Sequence, residues 1–173
     1  MGIFNFFKFK TKNKQEDIYK FLSGEEPDKY GRNIREIWGY DNKLLEKSHN
    51  YIQRLFPTTE ESIFEKAPVI DPETDRKYIN NPQIKENMKK SFEMMLNFYG
   101  FEYNDDKIID RQEQKHWISK GNHNYLRITR IITSLKIFGL EKEAILFYEA
   151  LLNLSHTEKI DEKSLKYWEN AIK

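Results

Sequence analysis

The segment from His123 to Phe138 constrains the fold more than any other part of the sequence, because it is apolar around most of a helix. Large apolar side chains recur there every three or four residues on one broad side, and Leu126 and Ile137 lie on the other flank. A helix with so little polar surface is stable in water only where other elements cover it. We therefore expect this helix at the centre of the molecule.

One polar stripe interrupts this apolar surface. Its members follow one another at spacings of four, three and four residues: His123, Arg127, Arg130 and Ser134. A buried arginine needs a partner, because an unpaired buried charge costs several kcal/mol. Internal carboxylates are the favoured partners, with Asp41 and Glu46 as first candidates. The alternative partner is an anionic ligand or an acidic peptide, since guanidinium pairs bidentately with carboxylate and phosphate.

Proline and glycine residues divide the rest of the chain into segments with helical apolar spacing. Asn81 and Pro82 form a favourable helix start, and Gly100 is a natural helix end. The connection over 57–80 contains three prolines and is predicted to be irregular, and no strand pair is predicted. The fold class is therefore all-α, a compact array of about seven or eight helices. The predicted helices cover residues 15–22, 31–38, 42–56, 82–99, 110–117 (with Asp110 and Glu113 as a capping box), 123–138, 141–152 and a last segment from 161.

The composition narrows the class of protein. The chain has no cysteine, which excludes a disulfide scaffold, a thiol nucleophile and cysteine-based zinc sites. No apolar run approaches the roughly 20 residues that span a bilayer, and no secretory signal is recognisable. The net charge of +1 gives no strong attraction to nucleic acid. We expect one domain over residues 15–173, in the cytoplasm, without metal or cofactor.

The first fourteen residues form a basic and aromatic tail. They hold four of the 29 basic residues and no acid, so the rest of the chain has 25 basic against 28 acidic residues. Phe4, Phe6, Phe7, Lys8 and Lys10 could contact a membrane surface, with aromatic rings at the interface and lysines on anionic lipid. A disordered tail, or a strand packed on the body, is the alternative. A peripheral membrane protein anchored by this tail is accordingly one of the functions considered.

Polar residues at the edge of the predicted 42–56 helix complete a candidate site with the arginine stripe. His49 lies where the apolar stripe of that helix meets its polar face; the simpler interpretation is a histidine bonded to a backbone carbonyl. An enzyme that uses His49 with the two arginines is a rival function, although the sequence has no glycine-rich phosphate loop, HExxH or GxSxG motif. The candidate ligand-binding residues are Asp41, Glu46, His49, Tyr51, Gln53, His123, Asn124, Arg127 and Arg130.

Several stretches resemble, in order and spacing, the conserved domain of the opioid growth factor receptor family. They are WGYDNKLLEKS at 38–48, HNYIQRLFP at 49–57, KAPVI at 66–70, MLNFYGF at 95–101 and HNYLRITRIITSLKIFGLE at 123–141. The resemblance covers about residues 18–152. It implies a helical domain without enzymatic activity. In vertebrate members this domain belongs to a receptor for a growth-inhibiting enkephalin peptide, associated with the nucleus and perinuclear membranes.

Two departures from the family pattern limit what the resemblance implies. Arg54 stands where the pattern usually has Trp, and we expect it to project from the polar side of the 42–56 helix. The chain also ends soon after the matching region, as in short microbial members, so the localisation signals of the vertebrate tail are not expected. The predicted function is therefore a non-enzymatic binding module for a peptide, a protein segment or a small anionic ligand, and a peptide-hormone role does not carry over.

Overall fold

Helices dominate the described part of the chain, and one short β-hairpin accompanies them. The computed structural model describes residues 17–62, 66–104, 107–113 and 115–173. Within these residues there are nine helices, against the seven or eight predicted, so the mainly helical class is confirmed and the hairpin corrects it. The elements are α1 (Ile18–Ser23), α2 (Ile34–Trp38), α3 (Asn42–Lys47), α4 (Ile52–Leu55), α5 (Arg76–Ile79), α6 (Pro82–Tyr99), β1 (Phe101–Asn104), β2 (Lys107–Asp110), α7 (Asn124–Ile137), α8 (Glu141–Leu154) and α9 (Glu162–Ile172).

The longest helix, α6, begins and ends as predicted. The Asn81 side chain accepts hydrogen bonds from the backbone N–H groups of Gln83 and Ile84, which have no partner inside the helix. Gly100 ends the helix with a left-handed backbone, at φ 81°. The helices α1, α2 and α5 pack against α6, and Trp38 Nε1 donates to Ser91 Oγ at 2.8 Å. α6 thus organises the amino-terminal half of the fold.

The α7 helix organises the carboxyl-terminal half, where α8 and α9 pack against it. Its residues Ile128, Ile131, Ile132 and Leu135 are fully buried, which confirms the predicted central position. Trp168 Nε1 of α9 donates to the backbone oxygen of Tyr125 at 3.1 Å. The expected apolar flank is not all covered, however, since Leu126 is 51% exposed.

The predicted helix over 42–56 is wrong, because the chain breaks between α3 and α4. Ser48 has an extended backbone, with φ −84° and ψ 134°, and ends α3. In a continuous helix the carbonyls of Leu45 and Ser48 would accept from N–H groups four residues onward. Both carbonyls accept instead from the guanidinium of Arg127, on α7. A tertiary contact therefore replaces local helix bonds.

The predicted helix over 110–117 is also wrong: residue 110 ends an antiparallel hairpin of β1 and β2, and the described residues after it form irregular structure and a turn. Asn104 pairs with Lys107 and Phe101 with Asp110, so the register leaves two residues between the strands. Asp110 does not cap a helix; it ends β2 and accepts from Lys115 Nζ at 2.6 Å. The hairpin packs on α6 and α8.

Two further expectations concern the irregular connection and the tail. Residues 57–75 are irregular where described, but the short helix α5 ends the connection that was predicted to be irregular throughout. The candidate membrane-contact residues Phe4, Phe6, Phe7, Lys8 and Lys10 lie outside the described residues. In the part of the chain that the structure describes, no helix is long and apolar enough to cross a bilayer.

Candidate functional site

A groove of about 650 Å³ runs between α7 and the segment 49–62. We call it the α7 groove. Its volume lies in the range of pockets that hold small molecules or short peptide segments, and its surface is mostly apolar. The α7 wall consists of His123, Leu126, Arg127, Thr129, Arg130 and Thr133, and the opposite wall of His49, Ile52, Gln53, Thr58, Thr59, Glu60, Glu61 and Ser62.

Arg127 is held by oxygens of the protein itself. Its guanidinium donates to the backbone oxygens of Leu45 at 3.0 Å and Ser48 at 2.7 Å. It also donates to Asn124 Oδ1 at 3.2 Å and to the Tyr51 hydroxyl at 3.4 Å. The residue is only 5% exposed. Arg127 therefore caps the carboxyl-terminal end of α3 and fixes α3 to α7, although it also reaches the groove.

The predicted carboxylate partners of the two arginines are not found. Asp41 caps α3 by accepting from the backbone N–H of Leu44 at 2.7 Å. The Glu46 carboxylate accepts from Asn124 Nδ2 at 3.0 Å and faces a second cavity of about 510 Å³. Among the described residues, Arg127 and Arg130 form no ion pair with a carboxylate. The reason is the break after α3, which supplies backbone carbonyls where side-chain carboxylates were expected.

Arg130 has much poorer partners than Arg127. Its Nη1 donates to the Phe56 backbone oxygen at 3.3 Å and to Thr58 Oγ1 at 3.1 Å. Its Nε and Nη2 have no hydrogen-bond partner among the described residues. Burial lowers the pKa of this guanidinium, and the nearby Glu60 carboxylate acts in the opposite direction. Arginine stays protonated in proteins at neutral pH, so Arg130 is a half-buried cation on the wall of the groove.

His49 and His123 meet at one end of the groove. Their ring centroids are 5.1 Å apart, with the rings at 79° to each other. Arg127 Nη2 lies 3.3 Å from His49 Nδ1, and because a guanidinium only donates, that nitrogen accepts and the proton of neutral His49 is on Nε2. Within the part of the chain that the structure describes, His49 is thus bonded to Arg127 and to no backbone carbonyl.

The environment of His123 disfavours its charged form. Its pKa is lowered by burial first and by the charge of Arg127 second, while Glu46 raises it. Glu46 Oε1 lies 3.5 Å from His123 Nε2, but without the geometry of a hydrogen bond, and this nitrogen is enclosed without a partner among the described residues. The end of the α7 groove therefore holds one permanent cation beside two imidazoles.

Gln53 is buried in the opposite wall. The residue is 4% exposed, and its Nε2 lies 3.4 Å from Ser62 Oγ. Its Oε1 is enclosed and accepts no hydrogen bond within the described part of the chain. An amide oxygen in this state is unusual, because buried polar atoms are almost always paired.

The structure brings five of the nine candidate residues together in the groove: His49, Gln53, His123, Arg127 and Arg130. The other four lie behind it or outside it. Asp41 and Glu46 have the roles given above, and Asn124 is fully buried. Tyr51 is fully buried too, with its hydroxyl donating to the Leu45 backbone oxygen at 3.1 Å, and burial raises its pKa to about 12.

The segment 58–62 carries no sequence pattern that predicts a binding site. It lies in the connection predicted to be irregular, and it forms most of one wall. Two α7 side chains of the polar stripe hold its start in place: Ser134 Oγ donates to the Pro57 backbone oxygen at 2.7 Å, and Arg130 donates to Thr58. Helical spacing indicates that the polar stripe needs partners. Spacing cannot predict which residues those partners are when they lie in an irregular segment.

Residues 6–173 match the opioid growth factor receptor conserved region. This chain belongs to that family. It is 31% identical over 155 residues to opioid growth factor receptor-like protein 1 of Xenopus tropicalis, covering 83% of this chain and 30% of the relative. It is 33% identical over 114 residues to the opioid growth factor receptor of Rattus norvegicus, covering 62% and 20%. The chain thus spans about a fifth to two fifths of the length of such curated relatives. No solved structure matches it.

Arg54, the departure from the opioid growth factor receptor family pattern, is fully buried, so its expected position on a polar face is wrong. Because the chain breaks after α3, the side chains of α4 do not point in the directions that a continuous 42–56 helix would give them. Arg54 donates to the Asn50 backbone oxygen at 2.8 Å and lies 3.9 Å from the buried Asp28 carboxylate. Its guanidinium also stacks over the ring of Tyr30, at 5.0 Å. The cation is neutralised inside the fold rather than presented at the surface.

Proposed function

We propose that this chain is a non-enzymatic binding module that takes an anionic group into the α7 groove. The observation that carries the proposal is the contrast between two arginines one helical turn apart. Arg127 donates to protein oxygens from both of its terminal nitrogens, whereas Arg130 has two neutral oxygens on one nitrogen and no described partner on the others.

The chemistry of Arg130 fits an anion. The guanidinium fork matches the two oxygens of a carboxylate or phosphate, and partial burial strengthens such a pair relative to water. The exposed side chain of Leu126 and the methyl groups of Thr129 and Thr133 add apolar surface beside it. The relatives' names describe receptors, which supports binding rather than catalysis.

Thermal unfolding with added anions tests the proposal. We expect inorganic phosphate to raise the Tm of the wild-type chain, because a ligand that binds only the native state stabilises it. The Arg130→Met variant should show no such rise. Arg35→Met is the matched control, since Arg35 is exposed on α2 and does not line the groove; it should respond like wild type. Equal shifts in all three proteins would indicate a general salt effect and contradict the proposal.

A further inference from the structure

We propose that the occupant of the α7 groove is a medium-chain fatty acid, with its carboxylate on Arg130 and its hydrocarbon chain along Leu126 and Ile52. This inference rests on the proposed function and names the class of ligand. It is carried by the apolar lining beside the cation, by the internal bonding of other polar groups in the groove, and by the length of the groove.

The threonines of the α7 wall contribute methyl groups rather than hydroxyls to the groove. Thr129 Oγ1 donates to the Tyr125 backbone oxygen at 3.1 Å, and Thr133 Oγ1 donates to the Thr129 backbone oxygen at 3.0 Å. Because both hydroxyls bond within α7, the two side chains present their methyl groups to a ligand. Leu126, 51% exposed, lines the same wall, and Ile52 lines the opposite one. A strip of hydrocarbon therefore lies beside the cation.

Other polar groups of the groove are already engaged by the protein. Arg127 Nη2 lies 3.3 Å from His49 Nδ1, and Thr58 Oγ1 donates to the Glu60 backbone oxygen at 3.2 Å. A sugar or a nucleotide carries several hydroxyl or amide groups, which would lose water here without gaining partners. A hydrocarbon chain has no such groups, and Arg130 pairs with its single anionic end.

The acidic residues of the opposite wall favour a ligand with one negative charge. Glu60 and Glu61 line the groove and are exposed. A single carboxylate paired with Arg130 is tolerated beside them, whereas a polyphosphate or a nucleic acid places further negative charge against both glutamates. The expected ligand is therefore a monocarboxylate.

The length of the groove limits the length of the hydrocarbon chain. His123, at one end of the α7 wall, precedes Arg130 by seven residues, which is about 10 Å of helix at roughly 1.5 Å per residue. An extended chain of single bonds advances about 1.2 Å per bond, since three backbone bonds span about 3.6 Å. A carboxylate on Arg130 is thus followed by about eight carbons before the chain reaches His123, and a longer chain extends into solvent.

A series of unbranched carboxylates from acetate to dodecanoate tests the hydrocarbon contact. Affinities are measured by NMR titration of the full chain, below the concentrations at which these compounds form micelles. We expect affinity to rise about two- to threefold with each methylene group up to about eight to ten carbons, because one side of the hydrocarbon is buried against the groove. Longer members should bind no more tightly. Affinity that keeps rising through dodecanoate indicates unspecific partitioning and overturns the inference.

Octanoate, octanol and octylamine, which share one chain length, test the contact with Arg130. Wild type should bind octanoate about tenfold more tightly than octanol, because a charge-assisted pair is lost in the alcohol, and it should bind octylamine most weakly. Arg130→Met should remove the difference between octanoate and octanol, and Arg35→Met should retain it. Equal binding of the three compounds by wild type overturns the carboxylate contact, even if Arg130→Met does not fold.

Leu126→Ala tests where the hydrocarbon chain lies. This variant should bind octanoate about three- to fivefold more weakly, because it removes apolar contact area, and it should keep the rise in Tm that phosphate produces. Ile145→Ala is the matched control, since Ile145 is exposed on α8 and does not line the groove; it should bind octanoate like wild type. Unchanged octanoate binding in Leu126→Ala, or an equal loss in both variants, overturns the proposed position of the chain.

The remaining outcomes separate this inference from the proposed function. If phosphate stabilises the chain through Arg130 while the affinity for carboxylates does not increase with their length, the anion site stands and the fatty-acid inference is overturned. If neither phosphate nor octanoate binds, the proposed function and the inference both fail.

Discussion

At the scale of single residues, neighbours on one helix have different roles because the surrounding backbone differs. Arg127 faces the end of a helix, where carbonyls lack partners inside that helix. Arg130, one turn later, faces an irregular segment that offers it one carbonyl and one hydroxyl. The same residue type therefore serves as a structural cap at one position and as a candidate ligand contact at the other.

Replacing Arg127 should destabilise the fold strongly. Arg127→Met leaves several buried oxygens without donors, so we expect the free energy of unfolding to fall by about 2–4 kcal/mol. Arg127→Lys, which keeps the charge but loses the planar fork, should recover only part of this loss. Urea unfolding followed by circular dichroism measures both changes. A stability of Arg127→Met within about 0.5 kcal/mol of wild type, the usual range of an ordinary surface substitution, would refute the capping role.

His123 should make the chain less stable in mild acid. Its pKa in the fold is lowered by burial and by Arg127, so the unfolded chain takes up the proton first as the pH falls through about 6.5. The stability linked to neutral His123 is complete above about pH 6.5. It is lost as the pH falls from there to the lower pKa that His123 has in the fold. His123→Asn should flatten the decline in stability between about pH 7.5 and 5.5.

Urea unfolding at the two pH values measures this effect. His156→Asn is the control, because His156 is exposed after α8 and does not line the groove. A decline in His123→Asn as steep as that of wild type would show that the proton linkage lies elsewhere.

At the scale of elements, helices with strong local signals were predictable and those decided by tertiary contacts were not. Asn81, Pro82 and Gly100 mark both ends of α6 within the local sequence. At the break between α3 and α4 the free carbonyls accept from Arg127, about 80 positions away, a contact that no local pattern marks. The hairpin was missed because each strand has only four residues, too few for a clear alternation.

The junction between α6 and the hairpin is sensitive to a single methyl group. Gly100 has φ 81°, and a Cβ there would lie 3.0 Å from Glu113 Oε1 and 3.3 Å from Lys115 Nζ. Gly31 has a similar φ of 78° but open space around it. We expect Gly31→Ala to cost about 1–2 kcal/mol for backbone strain alone. Gly100→Ala should cost more, because Glu113 and Lys115 must also move. Equal losses in the free energy of urea unfolding for the two variants would show that Glu113 and Lys115 move aside without an energetic cost.

Part of the candidate site could be predicted from the local sequence, and part depends on contacts between distant residues. The stripe on α7 gave His123, Arg127 and Arg130 from spacing alone, and their side chains do share a groove with His49 and Gln53. Spacing could not distinguish Arg127, which has many hydrogen-bond partners, from Arg130, which has two. That distinction depends on where the carbonyls of α3 and the segment after Pro57 lie in space.

At the scale of the whole molecule, α7 joins the groove to the core. One side of α7 lines the groove, while Ile128, Ile131 and Leu135 are fully buried and α8 and α9 pack against the helix. The family relationship covers nearly the whole chain but only a fifth to two fifths of the curated relatives, so the rest of those proteins has no counterpart in these residues.

Residues 15–173 were predicted as one domain, and unfolding tests this prediction. Trp117 and Trp168 are buried and contact Tyr125 of α7 from different parts of the chain. Tryptophan fluorescence and far-ultraviolet circular dichroism should therefore report one coincident transition in urea. Separate midpoints would show that the two halves unfold independently and would contradict the single-domain prediction.

The capping of α3 by Arg127 also determines when that part of the fold is completed. The contacts close loops of 79 to 82 residues. At a synthesis rate of about 5–20 residues per second, Arg127 is added several seconds after the residues of α3. Until then, we expect the Ser48 carbonyl to accept from water or from an N–H of a helix that continues through Ser48. We therefore expect the break between α3 and α4 to form late in folding, when α7 docks, and the opposite wall of the groove to acquire its final shape at that step.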